Sequence, residues 1–180
     1  MDTKTATLDD LRAVDGKAEL VHGEVVLMSP TGFRPSRAAA AIYRSLFAYE
    51  EATGRGFACT DNVGYVVDLP NRGSFSPDAS FFVGEPSGMQ YLDGAPVFAA
   101  EVRSANDYGA AAEASIAQKR ADYFAAGTQV VWDVDLQADA VIRAYQASQP
   151  EQPTIFRRGD QAETGRALPG WTFEVNALFQ

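Results

Sequence analysis

Val97-Phe98-Ala99-Ala100-Glu101-Val102-Arg103 is the stretch on which the reading of this chain turns. Its density of apolar residues marks a strand in the middle of a sheet. Side chains alternate along a strand, so Glu101 and Arg103 share one face, with Phe98, Ala100 and Val102 on the other. A charge buried unpaired in such a strand costs on the order of several kcal/mol. Glu101 must therefore meet a metal, a cation or water. A local Glu101–Arg103 pair at the sheet surface would meet the same need.

Downstream, Asn106 or Asp107 is placed to cap an alanine-rich helix that runs to Ala126 and closes at Gly127. Ala112, Ile116, Lys119, Tyr123 and Ala126 fall on one stripe of it at helical spacing. Lys119 thus lies on the face that packs against the sheet, where it either snorkels to the edge or meets strand carboxylates. Val130 to Val134 is a buried strand, paired with Ala140 to Tyr145. The remainder, rich in Pro and Gly, reads as loops and short edge strands. Upstream, residues 78–83 read as the antiparallel partner of an alternating strand at 63–69, across a turn at Pro70-Asn71-Arg72-Gly73. Ser36 starts a helix ending at Gly54, and residues 18–28 form a hairpin about His22-Gly23. Thr7 caps a short first helix. The order is that of an α+β (mixed α/β) fold. A single domain over residues 1–180 is expected.

Composition removes several classes. The 180 residues carry a net charge of −9, which disfavours broad attraction to nucleic acid or an anionic membrane. One cysteine, Cys59, allows no internal disulfide or zinc cluster, and one histidine, His22, allows no mechanism with two imidazoles. His22 sits in the hairpin turn, where a turn role outweighs a catalytic one. No Walker loop, dinucleotide fingerprint, nucleophile elbow or zinc-protease motif is present. No apolar run approaches the ~20 residues of a membrane span, and the polar start leads into no signal-peptide core. The expectation is a cytoplasmic protein with no membrane partner. Phe81, Phe82 and Trp132 read as core, and Arg157-Arg158 as a solvated basic pair.

Asp78 follows Ser76-Pro77 where a strand begins. Asp78, Glu101 and Lys119 can converge in this arrangement. Two carboxylates suit a hard divalent cation such as Mg²⁺, and an ammonium can orient a water or offset phosphate charge.

A series of stretches, in order, resembles the Uma2 (DUF820) family of restriction-endonuclease-like proteins. They are Glu19-Leu20-Val21-His22-Gly23-Glu24-Val25-Val26-Leu27-Met28-Ser29-Pro30, Ser76-Pro77-Asp78-Ala79-Ser80-Phe81, and Ala95 through Ser104 around Glu101-Val102-Arg103. Lys119-Arg120-Ala121-Asp122-Tyr123-Phe124 and Trp132-Asp133-Val134-Asp135 complete the set. The resemblance implies a PD-(D/E)xK nuclease fold: a central mixed sheet flanked by helices, with an N-terminal β-hairpin. It implies that Asp78, Glu101 and the Val102 carbonyl hold Mg²⁺ or Mn²⁺, with Glu24 as an additional carboxylate. It implies catalytic roles for Asp78, Glu101, Arg103 and Lys119, with Lys119 replacing the motif lysine. The implied activity is metal-dependent endonuclease cleavage of nucleic acid, DNA foremost.

The chain departs from the family pattern at three places. Arg103 stands at the motif lysine, Arg34-Pro35-Ser36-Arg37-Ala38 carries no histidine, and Ala105 replaces a proline. Arginine stays protonated and cannot act as a base, though it can bind phosphate. The alternative is a catalytically degenerate relative that uses the fold for binding or assembly. On an acidic protein, Arg103 and Lys119, with Arg34 or Arg37, are expected to form a basic lip. The hairpin edge is a place for a second copy to pair, giving a homodimer.

Overall fold

The computed structural model describes residues 5–180. A capping box on Thr7 opens α1 (Leu8–Arg12). The hairpin follows as β1 (Ala18–Val21) and β2 (Glu24–Leu27). Its two-residue turn puts His22 at φ 51° and Gly23 at φ 72°, the positive pair that matches strand twist. Next come α2 (Phe33–Thr53), β3 (Phe57–Thr60), β4 (Tyr65–Leu69), β5 (Arg72–Phe75), β6 (Ala79–Phe82) and β7 (Leu92–Asp93). The chain continues through β8 (Phe98–Val102), α3 (Ala110–Ala125), β9 (Val130–Val134), β10 (Ile142–Gln146) and β11 (Gln149–Phe156). It finishes with β12 (Gln161–Glu163), β13 (Thr172–Glu174) and a 3₁₀ turn at Val175–Phe179.

The main sheet has six strands in the order β11-β10-β9-β8-β6-β3. β8 runs parallel to β9, and the other neighbours are antiparallel. The sheet is therefore mixed, with the stretch quoted first near its centre. The carboxyl ends of β8, β9 and β11 and the start of β6 share one end of this sheet. A second sheet of five strands, β2-β1-β5-β4-β7, packs beside it.

Phe98, Ala100 and Val102 bury against Ala38, Ile42 and Leu46 of α2, with Trp132 in the same core. Ala99 and Val131 face the other way, against Tyr123 of α3 and Phe75 and Tyr65 of the second sheet. The period-2 division of the central strand thus holds, and the aromatic residues of β6 and β9 are core. α2 lies on one face and α3 on the other, as expected of an α+β fold with helices flanking the sheet.

Three expectations need correction. Residues 78–83 do not pair with 63–69. β4 turns at Pro70-Asn71 directly into β5, and β6 lies between β3 and β8 in the other sheet. Ser76-Pro77 separates β5 from β6, and the chain changes sheets there. Second, neither long helix starts at its expected cap: α2 begins at Phe33 after Gly32, with Ser36 inside it, and α3 begins after Gly109, both with no side-chain cap. Asp107 instead closes the preceding turn, accepting from the Ser104 amide at 2.7 Å and its hydroxyl at 2.8 Å. Third, β11 is an eight-residue edge strand where loops and short edge strands were expected. It contains Pro150 and Pro153, which an edge strand tolerates because its outer amides have no partner to lose.

Candidate active site

The start of β6 and the end of β8 bring Asp78 to Glu101. The Asp78 amide donates to the Ala100 carbonyl at 3.2 Å, and the Val102 amide donates to Asp78 Oδ2 at 2.8 Å. These backbone bonds hold Asp78 at the sheet end. Its other oxygen, Oδ1, lies 3.0 Å from Lys17 Nζ, and Lys17 also reaches Asp61 Oδ1 at 2.5 Å.

Glu101 points to α3. Lys119 Nζ lies 2.8 Å from Glu101 Oε1, and the Tyr123 hydroxyl donates to the same oxygen at 2.7 Å. The Tyr123 ring stacks on Phe75 with centroids 4.0 Å apart, which fixes where its hydroxyl points. Lys119 is shared. It also lies 2.9 Å from Glu19 Oε1 on β1.

Glu19 is almost fully buried, and each of its oxygens is bonded. The Ser76 amide donates to Oε1 at 2.8 Å, and Arg72 Nη1 meets Oε2 at 2.7 Å. Arg72 continues to Asp122 at 2.8 Å, and Asn71 and Gln118 donate to the other Asp122 oxygen. β1, β5, β8 and α3 are thereby tied through one ionic network.

Among the described residues, the ion pairs here form two groups: Lys17 with Asp61 and Asp78, and Arg72 and Lys119 with Glu19, Glu101 and Asp122. Each group holds one more carboxylate than cation. The donors are hard oxygens, the type that Mg²⁺ and Mn²⁺ prefer. The donor chemistry fits such an ion at Asp78 and Glu101.

The protonation states follow. Burial raises the Glu101 carboxyl above its ordinary range, and the nearby Asp78 and Glu19 add to this, against the pull of Lys119. Burial also opposes the Glu19 charge, but Lys119 and Arg72 outweigh it and hold Glu19 below the usual carboxylate range. Burial opposes the Lys119 ammonium as well, yet Glu101 and Glu19 keep it firmly protonated. Lys119 is thus held as an ammonium between Glu19 and Glu101.

Asp78 opens onto a small cleft of about 150 Å³ lined by Asp61, Thr60 and the α2 residues Ser36, Ala39 and Tyr43. Asp78, Glu101 and Lys119 therefore come together as expected. Arg103 does not join them. Its guanidinium makes two bonds of 2.7 Å to Asp133 and also pairs with Glu113. Those acceptors on β9 and α3 turn it away from Asp78, so there is no Glu101–Arg103 pair and Arg103 is not on the expected basic lip. Glu24, expected as a further ligand, is exposed on the outer strand β2. Glu19, opposite Val26 on the inner strand, takes the buried place instead. Among the described residues no three Asp, Glu, His or Cys side chains form a ready metal cluster. The set at Asp78 is two carboxylates and backbone.

Sequence reasoning missed Glu19, Lys17 and Arg72. One signal was available for Glu19. The tight turn at His22-Gly23 fixes the hairpin register, which puts Glu19 on the face opposite buried Leu20, alone among apolar neighbours on that strand. Lys17 and Arg72 carry no local signal, because their partners are distant in sequence.

The chain matches the model of the Uma2 family, described as "putative restriction endonuclease", over residues 6–176. It belongs to the Uma2 family. Its fold is similar to that of a solved protein from Anabaena variabilis ATCC 29413, described as a "putative nuclease belonging to DUF820". The likeness has a TM-score of 0.76 at 15% identity and covers 96% of this chain and 97% of that one. At that identity it is the restriction-endonuclease-like fold that the two share. No curated protein matches the chain. Among the described residues, no helix of this Uma2 protein is long and apolar enough to cross a membrane.

Proposed function

We propose that this Uma2 protein is a metal-dependent endonuclease that hydrolyses phosphodiester bonds in nucleic acid, DNA foremost. The observation that carries the reading is the placement of two carboxylates, Asp78 and Glu101, at the end of the main sheet beside the Lys119 ammonium. Asp78, Glu101 and the Val102 carbonyl would hold Mg²⁺ or Mn²⁺. When bound, such an ion supplies Lewis-acid stabilisation of phosphate charge and a more acidic water.

The chain's own groups do the rest. The Lys119 ammonium offsets charge gathering on the phosphate and donates to the oxygen that attacks. Tyr123 locks the Glu101 carboxylate by its 2.7 Å bond. Glu19, held by Arg72 and the Ser76 amide, keeps Lys119 pointed at Glu101. The Val102 amide orients Asp78. A second copy pairing along β2, where Val26 and Leu27 are exposed, belongs to the same reading.

The test is cleavage of plasmid DNA and of labelled RNA with Mg²⁺ or Mn²⁺. Wild-type protein is expected to cut, and Asp78→Asn to lose roughly 100-fold or more of the rate. No cutting of either substrate by the wild type would overturn the reading. One observation favours the non-catalytic alternative: Lys17 already provides Asp78 and Asp61 with a counter-charge. If that alternative holds, Lys17→Ala gains no cleavage and Mn²⁺ leaves the melting temperature unchanged.

A further inference from the structure

A second charged feature lies at the same end of the main sheet. Arg34 and Arg37 stand one turn apart at the start of α2, and Arg158 follows the end of β11. All three are exposed. Arg158 lies over the Phe179 ring at 3.4 Å, which holds its guanidinium in place. Together with Phe33, Leu136 and Gln180 they line a groove of about 390 Å³ with no Asp or Glu side chain among the described residues. No ion pair reaches any of the three arginines among the described residues. The contrast with the neighbouring arginine is direct: Arg157 is paired with Asp139 at 2.7 Å. Phe33, 81% exposed, stands at the rim with its ring free.

Three guanidinium groups without an ion pair, in a groove whose described lining has no Asp or Glu side chain, are out of place on a protein of net charge −9. They attract a polyanion locally where the molecule as a whole repels one. The position of the groove matters as well. Asp78 precedes β6 and Arg158 follows β11, at one end of a sheet in which these strands are four places apart. At ~4.8 Å per strand the separation across the sheet is about 19 Å, or roughly five to six base pairs of duplex. α2 bridges the two, with Ser36 on the Asp78 cleft and Arg37 on the groove.

We propose that this groove binds the phosphate backbone of a polynucleotide whose scissile bond lies at Asp78, with Phe33 as a stacking surface for a base. The choice of polynucleotide rests on the nuclease reading, and the proposal adds where the strand is held. Guanidinium groups suit phosphate oxygens, and an exposed aromatic ring suits an unpaired base.

Binding is measured by fluorescence anisotropy at low salt with EDTA present, using labelled single-stranded DNA, duplex DNA and RNA. The triple variant Arg34→Gln/Arg37→Gln/Arg158→Gln is expected to bind about tenfold or more weakly than wild type. Its plot of log affinity against log salt should be shallower by about two to three. Arg157→Gln, the paired neighbour, should bind like wild type, and Phe33→Ala should weaken the single strand more than the duplex. Circular dichroism confirms that each variant is folded. Equal binding by the triple variant, equal loss in Arg157→Gln, or no binding by wild type would overturn the proposal. An equal effect of Phe33→Ala on both strands would remove the stacking role. Cleavage by wild type with Mn²⁺ is scored separately. Cutting without dependence on the arginines defeats the groove alone, and arginine-dependent binding without cutting defeats the nuclease reading alone.

Discussion

Arg72 meets two carboxylates at once, Glu19 at 2.7 Å and Asp122 at 2.8 Å, and all three are buried. Replacing it by methionine would leave both acids without their cation inside the fold. Arg72→Met is therefore expected to cost about 3–5 kcal/mol in urea unfolding, the range for breaking a buried pair. Tyr123→Phe is the gentler probe. The ring keeps its stack on Phe75, and only the bond to Glu101 is lost. Stability should change by about 1 kcal/mol, while cleavage falls because Glu101 is no longer locked. A fall in stability without a fall in cleavage would show that the Tyr123 hydroxyl bond serves only the fold. At this scale Glu101 and Lys119 were legible because each breaks an apolar pattern, and Asp78 because it follows Ser76-Pro77 where a strand begins. Arg72 was not, because an arginine after a turn breaks no pattern.

Among the elements, the joint between α2 and β3 is the tightest. Gly56 has φ +59°, and a Cβ there would sit 2.2 Å from the Phe82 carbonyl oxygen of the neighbouring strand. Backbone cannot yield as a side-chain tip does. Gly56→Ala should therefore destabilise by roughly 2 kcal/mol or more, read as a lower melting temperature. The helices, the hairpin and the central strand were legible in the chain because residue period is a local property, although of the expected N-caps only Thr7 holds. β3 and β5 were not. Phe57-Ala58-Cys59-Thr60 and Arg72-Gly73-Ser74-Phe75 are short and weakly patterned, and they become strands because β6 and β4 offer them hydrogen-bond partners.

Across the whole molecule, pH acts through the ionic network. Burial opposes the charges of Glu19 and Asp122, but their cationic and polar partners hold both carboxyls below their usual range. The folded state therefore favours their ionised forms. That stability is present above the unfolded value of about 4 and is lost as pH falls through the lower folded values. Melting curves should stay level from neutral pH to about pH 5 and then drop on further acidification. A drop already complete at pH 5 would assign acid lability to other groups. A bound divalent cation should also stabilise the fold by mass action, about 2.7 kcal/mol at a hundredfold excess over Kd. Mn²⁺ is thus expected to raise the melting temperature of wild type and not that of Asp78→Asn. The primary sequence alone determined the α+β class, the central strand with Glu101 and the helix face with Lys119. It did so because alternation and helical spacing are written over a few neighbouring residues. Only the tertiary structure decided that Glu19 and not Glu24 enters the cluster, that Arg103 turns to Asp133, and that Arg158 joins Arg34 and Arg37. Those choices depend on which strand lies beside which and on the nearest opposite charge, and neither is encoded within a local window of the chain.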